Sequence, residues 1–224
     1  MNKARVTTLI PAFNEAESIT KTIFSLKKIK EINQIIVIDD GSSDNTGELA
    51  ENTGVQVISL AINKGKGNAL NIGAKFIKED IVALVDADLK NTAIEITKLI
   101  EPVINGKSDM AIAVFPPAST KGGFGLVKKA ASLGLKILTK KDFKAPLSGQ
   151  RVMTRQVFEN LLPLASGFGV EVGMTVDAIA KGYKIIEVDT NMAHAETGRN
   201  WVGFLHRGTQ LKDVFMTLTI KGWR

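Results

Sequence analysis

Five short apolar runs rich in β-branched residues alternate with polar or helix-like segments in the first half of the chain. Such runs predict buried strands. Between the first two runs, Ile19, Ile23, Leu26 and Ile29 recur at helical spacing and predict a crossover helix over residues 15–29. This order predicts an α/β fold with a Rossmann-like, mostly parallel central sheet flanked by helices. The predicted strands are residues 6–10, 34–38, 55–60, 81–85 and 110–115.

The second half of the chain is less regular. It contains a strand-like run at residues 149–153, a helix-like segment at 170–180 and a strand-like run at 184–188. We find no internal repeat, low-complexity tract or linker rich in Pro, Gly and Ser. Since 224 residues suit one α/β domain, we expect a single domain over residues 1–224.

The composition narrows the ligands that the chain can bind. It has no cysteine, so a metal ion must be held by oxygen or imidazole ligands, which favours Mg²⁺ or Mn²⁺ over zinc. The formal charge of +6 favours anionic ligands. No nucleic-acid-binding motif is present, so we expect no nucleic acid partner. No run approaches the ~18 apolar residues of a membrane span, and the first apolar run is too short for a signal peptide, so we expect a cytoplasmic protein.

Polar motifs follow four of the predicted strands at their carboxyl ends. They are residues 11–15 (PAFNE), 39–44 (DDGSSD), 63–67 (NKGKG) and 86–88 (DAD). Ligands of open parallel sheets bind beyond the carboxyl ends of the strands, so we expect the four motifs to meet on one rim. Any one motif alone fits a solvated turn or a helix cap, and their shared position is what favours a functional site.

Asp86 and Asp88 are the residues of this rim whose side chains most clearly suit a divalent metal ion. Two carboxylates just beyond a buried strand can hold a divalent ion that bridges the phosphates of a diphosphate. Lys66 lies between two glycines at the start of a predicted helix, where backbone amides and a cation suit a phosphate. A lone histidine such as His194 is more often structural than a metal ligand.

The other two motifs predict contacts to a nucleoside. Asp39 or Asp40 would accept hydrogen bonds from a base or a ribose, while Ser43 or Asp44 caps the next helix. Glu15 is placed to meet a ribose hydroxyl.

In this order the four motifs resemble those of glycosyltransferase family 2, whose members have the GT-A fold. The resemblance covers roughly residues 4–200. The family's P-x-x-N-E, D-D-G-S-x-D, G-K-G-x-A and D-x-D appear at residues 11–15, 39–44, 65–69 and 86–88. The resemblance implies that nucleotide-sugar-binding residues include Pro11, Ala12, Asn14, Glu15, Asp40, Gly41, Ser42, Lys66, Asp86, Ala87 and Asp88.

The resemblance also divides the chain. It implies a nucleotide-sugar-binding half at residues 1–115 and an acceptor-binding half at 116–200, followed by a basic amphipathic helix at 201–224. Residues 86–89 and 167–171 (GFGVE) resemble polyprenyl-phosphate hexosyltransferases. Residues 146–150 (PLSGQ), 167–173 and His194 also resemble glucosyl-3-phosphoglycerate synthases.

The second subgroup implies roles for single residues. By that resemblance, Asp88 and His194 hold the metal ion, Lys66 contacts the donor diphosphate, and Glu171 contacts the transferred sugar or the acceptor. Asp88, Glu171 and Lys66 are therefore the candidate catalytic residues.

We accordingly predict a metal-dependent hexosyltransferase that uses a nucleoside diphosphate sugar, with a UDP-sugar favoured, and a phosphate-bearing acceptor. Residues 119–125 depart from the acceptor loop of the phosphoglycerate enzymes, which leaves a lipid-linked polyprenyl phosphate as one expected acceptor and a small soluble acceptor as the alternative. A non-catalytic nucleotide-binding scaffold is a further alternative.

Two basic amphipathic segments, residues 121–141 and 200–224, bear on the partners of the chain. Such helices can lie on an anionic membrane, which would place the protein at the inner face of the membrane. In the alternative, their apolar faces cover the catalytic core or a homodimer partner.

Overall fold

The computed structural model of the protein describes residues 5–117, 125–165 and 169–194. The seven strands in these residues form one sheet with the order β3-β2-β1-β4-β6-β5-β7. Strand β6 pairs antiparallel with β4 and β5, and all other pairs are parallel. The predicted mostly parallel sheet is confirmed. The strands are β1 (Val6–Ala12), β2 (Ile32–Asp39), β3 (Gln56–Ser59), β4 (Ile81–Leu84), β5 (Met110–Val114), β6 (Arg151–Thr154) and β7 (Ile185–Asp189).

Helices cover both faces of the sheet. Successive strand residues such as Leu9 and Ile10 belong to different buried clusters, as expected for strands whose two faces are both covered. One cluster packs against α1 and α4, the other against α3, α6 and α7. The helices are α1 (Ile19–Leu26), α2 (Thr46–Glu51), α3 (Lys66–Gly73), α4 (Thr97–Ile104), α5 (Gly125–Thr139), α6 (Arg155–Leu161) and α7 (Val170–Ala180), with 3₁₀ turns at Ala74–Phe76 and Ala87–Ile96.

The first helix begins later than predicted. Helix α1 starts at Ile19 instead of residue 15, because Asn14 has a φ of 55° and residues 15–18 form a turn. The amides of Glu15 and Ala16 donate to the side chains of Thr46 and Asp44. These amides therefore join the residues after β1 to the loop after β2.

Of the two predicted caps of α2, Ser43 and Asp44, it is Asp44 that accepts a hydrogen bond from the amide of the first helical residue, Thr46. The N-cap position is Asn45, which makes no side-chain cap hydrogen bond. Asp44 instead accepts hydrogen bonds from the amides of Thr46 and Ala16 and so joins α2 to the residues after β1.

Helix α5 lies within the basic segment predicted at residues 121–141. Ala131 and Leu135 are buried and pack with Val172 and Val176 of α7, as the core-covering alternative requires. None of the helices in the described parts of the chain is long and apolar enough to cross a membrane. The helix predicted at residues 201–224 lies outside the described residues.

Candidate active site

The carboxyl end of β4 carries an ion cluster. Lys66, the first residue of α3, places Nζ 2.6 Å from Oδ1 of Asp86 and 2.9 Å from Oε1 of Glu171 in the first turn of α7. Burial alone would lower the pKa of Lys66, but the two carboxylates outweigh it and raise the pKa. Burial would likewise raise the pKa of Asp86, and Lys66 holds it below its usual value. Both groups are charged at neutral pH, and about a quarter of each side chain is exposed (26% and 24%), so a ligand can reach them.

Asp88 pairs with a histidine from the far end of the described chain. Nδ1 of His194 lies 3.0 Å from both carboxylate oxygens of Asp88. The imidazole stacks on Phe115, with ring centroids 4.7 Å apart and 4° between the planes. Burial would lower the pKa of His194, but the hydrogen bond and charge of Asp88 raise it. The carboxylate of Asp88 thus favours the protonated form of the imidazole.

Three side chains here fit a divalent ion. The ligand atoms of Asp86, Asp88 and His194 lie within 4.8 Å of one another. Neighbouring ligands of an octahedral ion, each about 2.1 Å from it, lie about 3.0 Å apart. Nδ1 of His194 lies at this distance, 3.0 Å, from each carboxylate oxygen of Asp88. Both oxygens of Asp86 are bonded, one to Lys66 and one to Gln150, so Asp88 and His194 are the better placed ligands. Carboxylate and imidazole ligands suit Mg²⁺ or Mn²⁺.

The aspartates that end β2 are buried in their own loop. Asp40 is 3% exposed, and its oxygens accept hydrogen bonds from the amides of Lys64 and Gly65, the shortest at 2.7 Å. Asp39 accepts a hydrogen bond from the amide of Ser42. Gly41 has a φ of +76°, and a Cβ there would meet the backbone after β3 at 2.9 Å. Two amides predicted to suit a phosphate are therefore bonded to Asp40.

The residues after β1 lie between this loop and the ion cluster. Oδ1 of Asn14 accepts a hydrogen bond from the amide of Ser43, and the amide of Asn14 donates to Oγ of Ser42. Burial, and then repulsion from Asp88 and Asp86, raise the pKa of Glu15 to about 7. Glu15 is thus part of the electrostatic environment of the predicted metal site.

The remaining predicted positions are parts of the backbone framework. Pro11 and Ala12 end β1 and pair with Ile38 and Asp39 of β2. Ala87 is buried, and its carbonyl accepts a hydrogen bond from Oγ1 of Thr22.

Residues 148–151 complete the cluster. The sequence placed residues 146–150 in a motif of the resemblance but gave no role to their side chains. Gln150 is fully buried, accepts a hydrogen bond from the amide of Asp86 and donates to its Oδ2. Arg151, also fully buried, donates to the carbonyl of Ser148 and to Oγ1 of Thr175. The sequence signal was a glutamine and an arginine opening an apolar strand, where a buried polar pair needs partners.

The chain belongs to the family described as Glycosyl transferase family 2, whose model matches residues 7–161. The predicted family is thereby confirmed. The chain is 32% identical to glycosyltransferase AglJ of Haloferax volcanii, over 81% of this chain and 61% of that protein. It is 28% identical to glucosyl-3-phosphoglycerate synthase of Mycobacterium tuberculosis over 77% of this chain and 60% of that protein. The chain spans about three fifths of the length of these curated relatives.

Solved structures of glucosyl-3-phosphoglycerate synthase from Mycobacterium tuberculosis have the same fold. The complex with Mg²⁺ and UDP superimposes with a TM-score of 0.82 at 26% identity, over 97% of this chain and 79% of that one. The complex with Mn²⁺, UDP-glucose and phosphoglyceric acid gives a TM-score of 0.81 at 26% identity, over 97% of this chain and 79% of that one. These matches confirm the predicted GT-A type of α/β fold.

The structure gathers Glu15, Lys66, Asp86, Asp88, Glu171 and His194 at the carboxyl end of β4, as their predicted roles require. It places Asp40, Gly41 and Ser42 in a loop that bonds mainly to itself and to neighbouring turns. The segment at 119–124 and residues 167–168 lie outside the described residues.

Proposed function

We propose that the chain transfers a hexose from a UDP-sugar to a phosphate-bearing acceptor and needs Mg²⁺ or Mn²⁺ to do so. The observation that carries the proposal is the cluster of Lys66, Asp86, Asp88 and His194 at the carboxyl end of β4. Family membership and the UDP, Mg²⁺ and Mn²⁺ complexes of the similar synthase support it.

The described side chains suit the charges of such a reaction. Asp88 and His194 hold the ion, which supplies positive charge to the departing diphosphate. Lys66 turns from its carboxylate partners and donates to the diphosphate, so that negative charge developing on the leaving group is neutralised. Asp40, Gly41 and Ser42, with Asn14, hold the loop beside which the nucleoside binds.

Glu171, whose Oε1 lies 2.9 Å from Nζ of Lys66, is the proposed contact to the sugar or the acceptor. Its carboxylate loses the partnership of Lys66 when the lysine binds the diphosphate. A phosphate monoester acceptor is already an anion at neutral pH and needs no strong base. For a hydroxyl acceptor, Glu171 takes the proton.

The donor is tested by incubating the protein with UDP-glucose, UDP-N-acetylglucosamine and GDP-mannose, each with and without Mn²⁺, and measuring release of the free nucleotide. We expect release from one UDP-sugar that depends on the ion. Absence of release and of binding for every donor, from a folded protein, would refute the enzyme and favour the scaffold.

The finer proposal concerns a lipid-linked acceptor. On α5, Leu133 and Ile137 are one turn apart and 60% and 67% exposed, although they are large and apolar. Lys129, Lys136 and Lys140 are exposed at positions that share this face. Residues 125–141 contain no acidic residue. An exposed apolar and basic stripe, opposite the face that packs on α7, suits an anionic membrane carrying polyprenyl phosphate.

Vesicle sedimentation tests this proposal. The protein should sediment with vesicles containing phosphatidylserine at low salt, and Leu133→Ser with Ile137→Ser should release it. Phe24→Ser, which changes an exposed aromatic residue on α1, is the matched control and should sediment like the wild type. In parallel, 3-phosphoglycerate and vesicle-borne polyprenyl phosphate are offered with the donor. Transfer to 3-phosphoglycerate alone, without vesicle binding, would assign the soluble acceptor.

A further inference from the structure

The direction of β6 brings a distant piece of backbone to the ion cluster. Because β6 runs opposite to its neighbours, its first residue, Arg151, pairs with Leu84 at the end of β4. The residues just before β6 therefore lie beside the residues just after β4. The carbonyl of Gln150 also accepts a hydrogen bond from the amide of Ala113 in β5, which fixes this entry point between two strands.

Gln150 forms two hydrogen bonds with Asp86. Its Oε1 accepts a hydrogen bond of 2.9 Å from the amide of Asp86, and its Nε2 donates one of 2.5 Å to Oδ2. Lys66 occupies the other oxygen, Oδ1, at 2.6 Å. Gln150 is fully buried, so its own position is fixed by packing. These bonds fix the orientation of the Asp86 carboxylate. Because Lys66 bonds to Oδ1 of that carboxylate, they also fix the position of its ammonium group.

Gly149 leaves room for the same ion pair. A Cβ at this position would lie 2.3 Å from Nζ of Lys66 and 2.8 Å from Oδ2 of Asp86. These distances are shorter than any real contact, and both atoms are the ends of flexible side chains. A methyl group here would therefore displace the lysine and the carboxylate while the surrounding backbone keeps its place.

Arg151 extends the same arrangement to α7. Its Nε donates to the carbonyl of Ser148, and its Nη1 donates to Oγ1 of Thr175. Thr175 in turn donates to the carbonyl of Glu171. Residues 148–151 therefore contact the carboxylate of Asp86 directly and, through Thr175, the backbone carbonyl of Glu171.

We infer that Gly149 and Gln150 are positioning residues, which fix the Lys66–Asp86 pair in the place where the donor diphosphate binds. The inference rests on the proposed function and extends it to two residues that act through the Lys66–Asp86 pair. Gly149 acts by leaving space and Gln150 by holding the carboxylate.

The decisive variant is Gly149→Ala, because it introduces a methyl group at the ion pair and nowhere else. We expect the dissociation constant of UDP to rise about tenfold or more, as the loss of one charge-assisted hydrogen bond predicts. Calorimetric titration of UDP, with and without Mn²⁺, measures it. The melting temperature should change little, since only side-chain ends move.

Gly73→Ala is the matched control. A Cβ at Gly73 would lie 2.8 Å from Cδ1 of Ile38, inside the core and at the other end of α3. We expect it to lower the melting temperature and to leave the dissociation constant of UDP unchanged. Gln150→Met, which keeps the length of the side chain and removes both hydrogen bonds, should weaken UDP binding as Gly149→Ala does.

Two readouts separate the possible failures. UDP binding by Gly149→Ala that equals the wild type would overturn the inference while the proposed function stands. If the wild type binds no UDP, the proposed function fails, and the ¹⁵N–¹H spectrum of lysine ammonium groups still decides the positioning. A held Lys66 ammonium signal in the wild type that disappears in Gly149→Ala and Gln150→Met supports the inference, and its persistence in both overturns it.

Discussion

Two pairs of aspartates lie at the carboxyl ends of β2 and β4, the parallel strands on either side of β1, yet their partners differ in kind. Asp39 and Asp40 after β2 are buried and accept hydrogen bonds from backbone amides. Asp86 and Asp88 after β4 pair with the side chains of Lys66 and His194. A backbone amide cannot give up its bond to an aspartate unless its turn unfolds, whereas a side-chain partner can rotate away from the aspartate. The first pair therefore stabilises the loop. The partners of the second pair are free to turn to other ligands, Lys66 to a diphosphate and His194, together with Asp88, to a metal ion.

The largest effect that separates the two pairs should come from Asp88→Ala. We expect ion-dependent turnover of the UDP-sugar to fall about a hundredfold or more, because the ion loses its best placed carboxylate ligand. Initial rates of UDP release measure it. Asp189→Ala, at the carboxyl end of the edge strand β7, is the control and should keep its rate. Equal rates in Asp88→Ala and wild type would show that the aspartates after β4 do not hold the ion, and that they do not differ in this respect from Asp39 and Asp40.

Asp40→Asn should act on stability instead. The asparagine side chain keeps one oxygen as an acceptor and replaces the other with an NH₂ donor, so the amides of Lys64 and Gly65 lose their ionised acceptor. We expect a loss of about 2 kcal/mol in the free energy of unfolding, and a melting temperature lower by about 6 °C. Thermal unfolding followed by circular dichroism measures this. A variant as stable as the wild type but unable to bind UDP would show that Asp40 contacts the nucleotide itself.

Metal binding should depend on pH through His194. The imidazole must be neutral to ligate, and Asp88 raises its pKa, so protons compete with the ion up to a higher pH than for an ordinary histidine. Below that pKa we expect the apparent affinity for Mn²⁺ to fall about tenfold per pH unit. Mn²⁺ titrations followed by electron paramagnetic resonance at several pH values test the slope. In His194→Asn the slope should flatten, and an unchanged slope would exclude His194 as the titrating group.

The smallest expected effect concerns Glu15. Its folded pKa of about 7 lies above the ordinary value, so ionisation opposes folding, and the stability lost is nil at low pH and complete above about pH 7. Glu15→Gln removes this cost. We expect the variant to be about 1 kcal/mol more stable than wild type at pH 8 and to show no gain at pH 4, with the shift discounted for partial exposure. Denaturant unfolding at both pH values measures the difference, and a gain that is equal at both would contradict the assigned cause.

Much of this arrangement could be predicted from the sequence, because the first four strands are consecutive crossover units. Parallel strands put the carboxyl ends of β1 to β4 on one edge, so the order of the motifs was enough to place Glu15, Lys66 and Asp86 together. Glu171 and His194 came from the resemblance to the family, and the structure places both at the cluster.

The parts that sequence did not predict depend on long-range contacts. The direction of β6 is invisible in the apolar pattern of residues 149–153, so the grip of Gln150 on Asp86, 64 residues away, could not be inferred. The motif at 39–44 gave no sign of whether its carboxylates face a ligand or an amide. That choice depends on the turn after β3, which brings Lys64 and Gly65 over Asp40. The late start of α1 follows from the φ of 55° at Asn14 and the turn at residues 15–18, which the helical spacing of the apolar residues does not reveal.

The most direct test of the exchange at β4 is calorimetric titration of UDP into wild type, Asp88→Ala and Asp40→Asn, each with and without Mn²⁺, at a temperature where all three are folded. The account predicts that Mn²⁺ strengthens UDP binding in wild type and in Asp40→Asn, and that this gain is lost in Asp88→Ala. A gain from Mn²⁺ that survives in Asp88→Ala, or that is lost in Asp40→Asn alone, would contradict it.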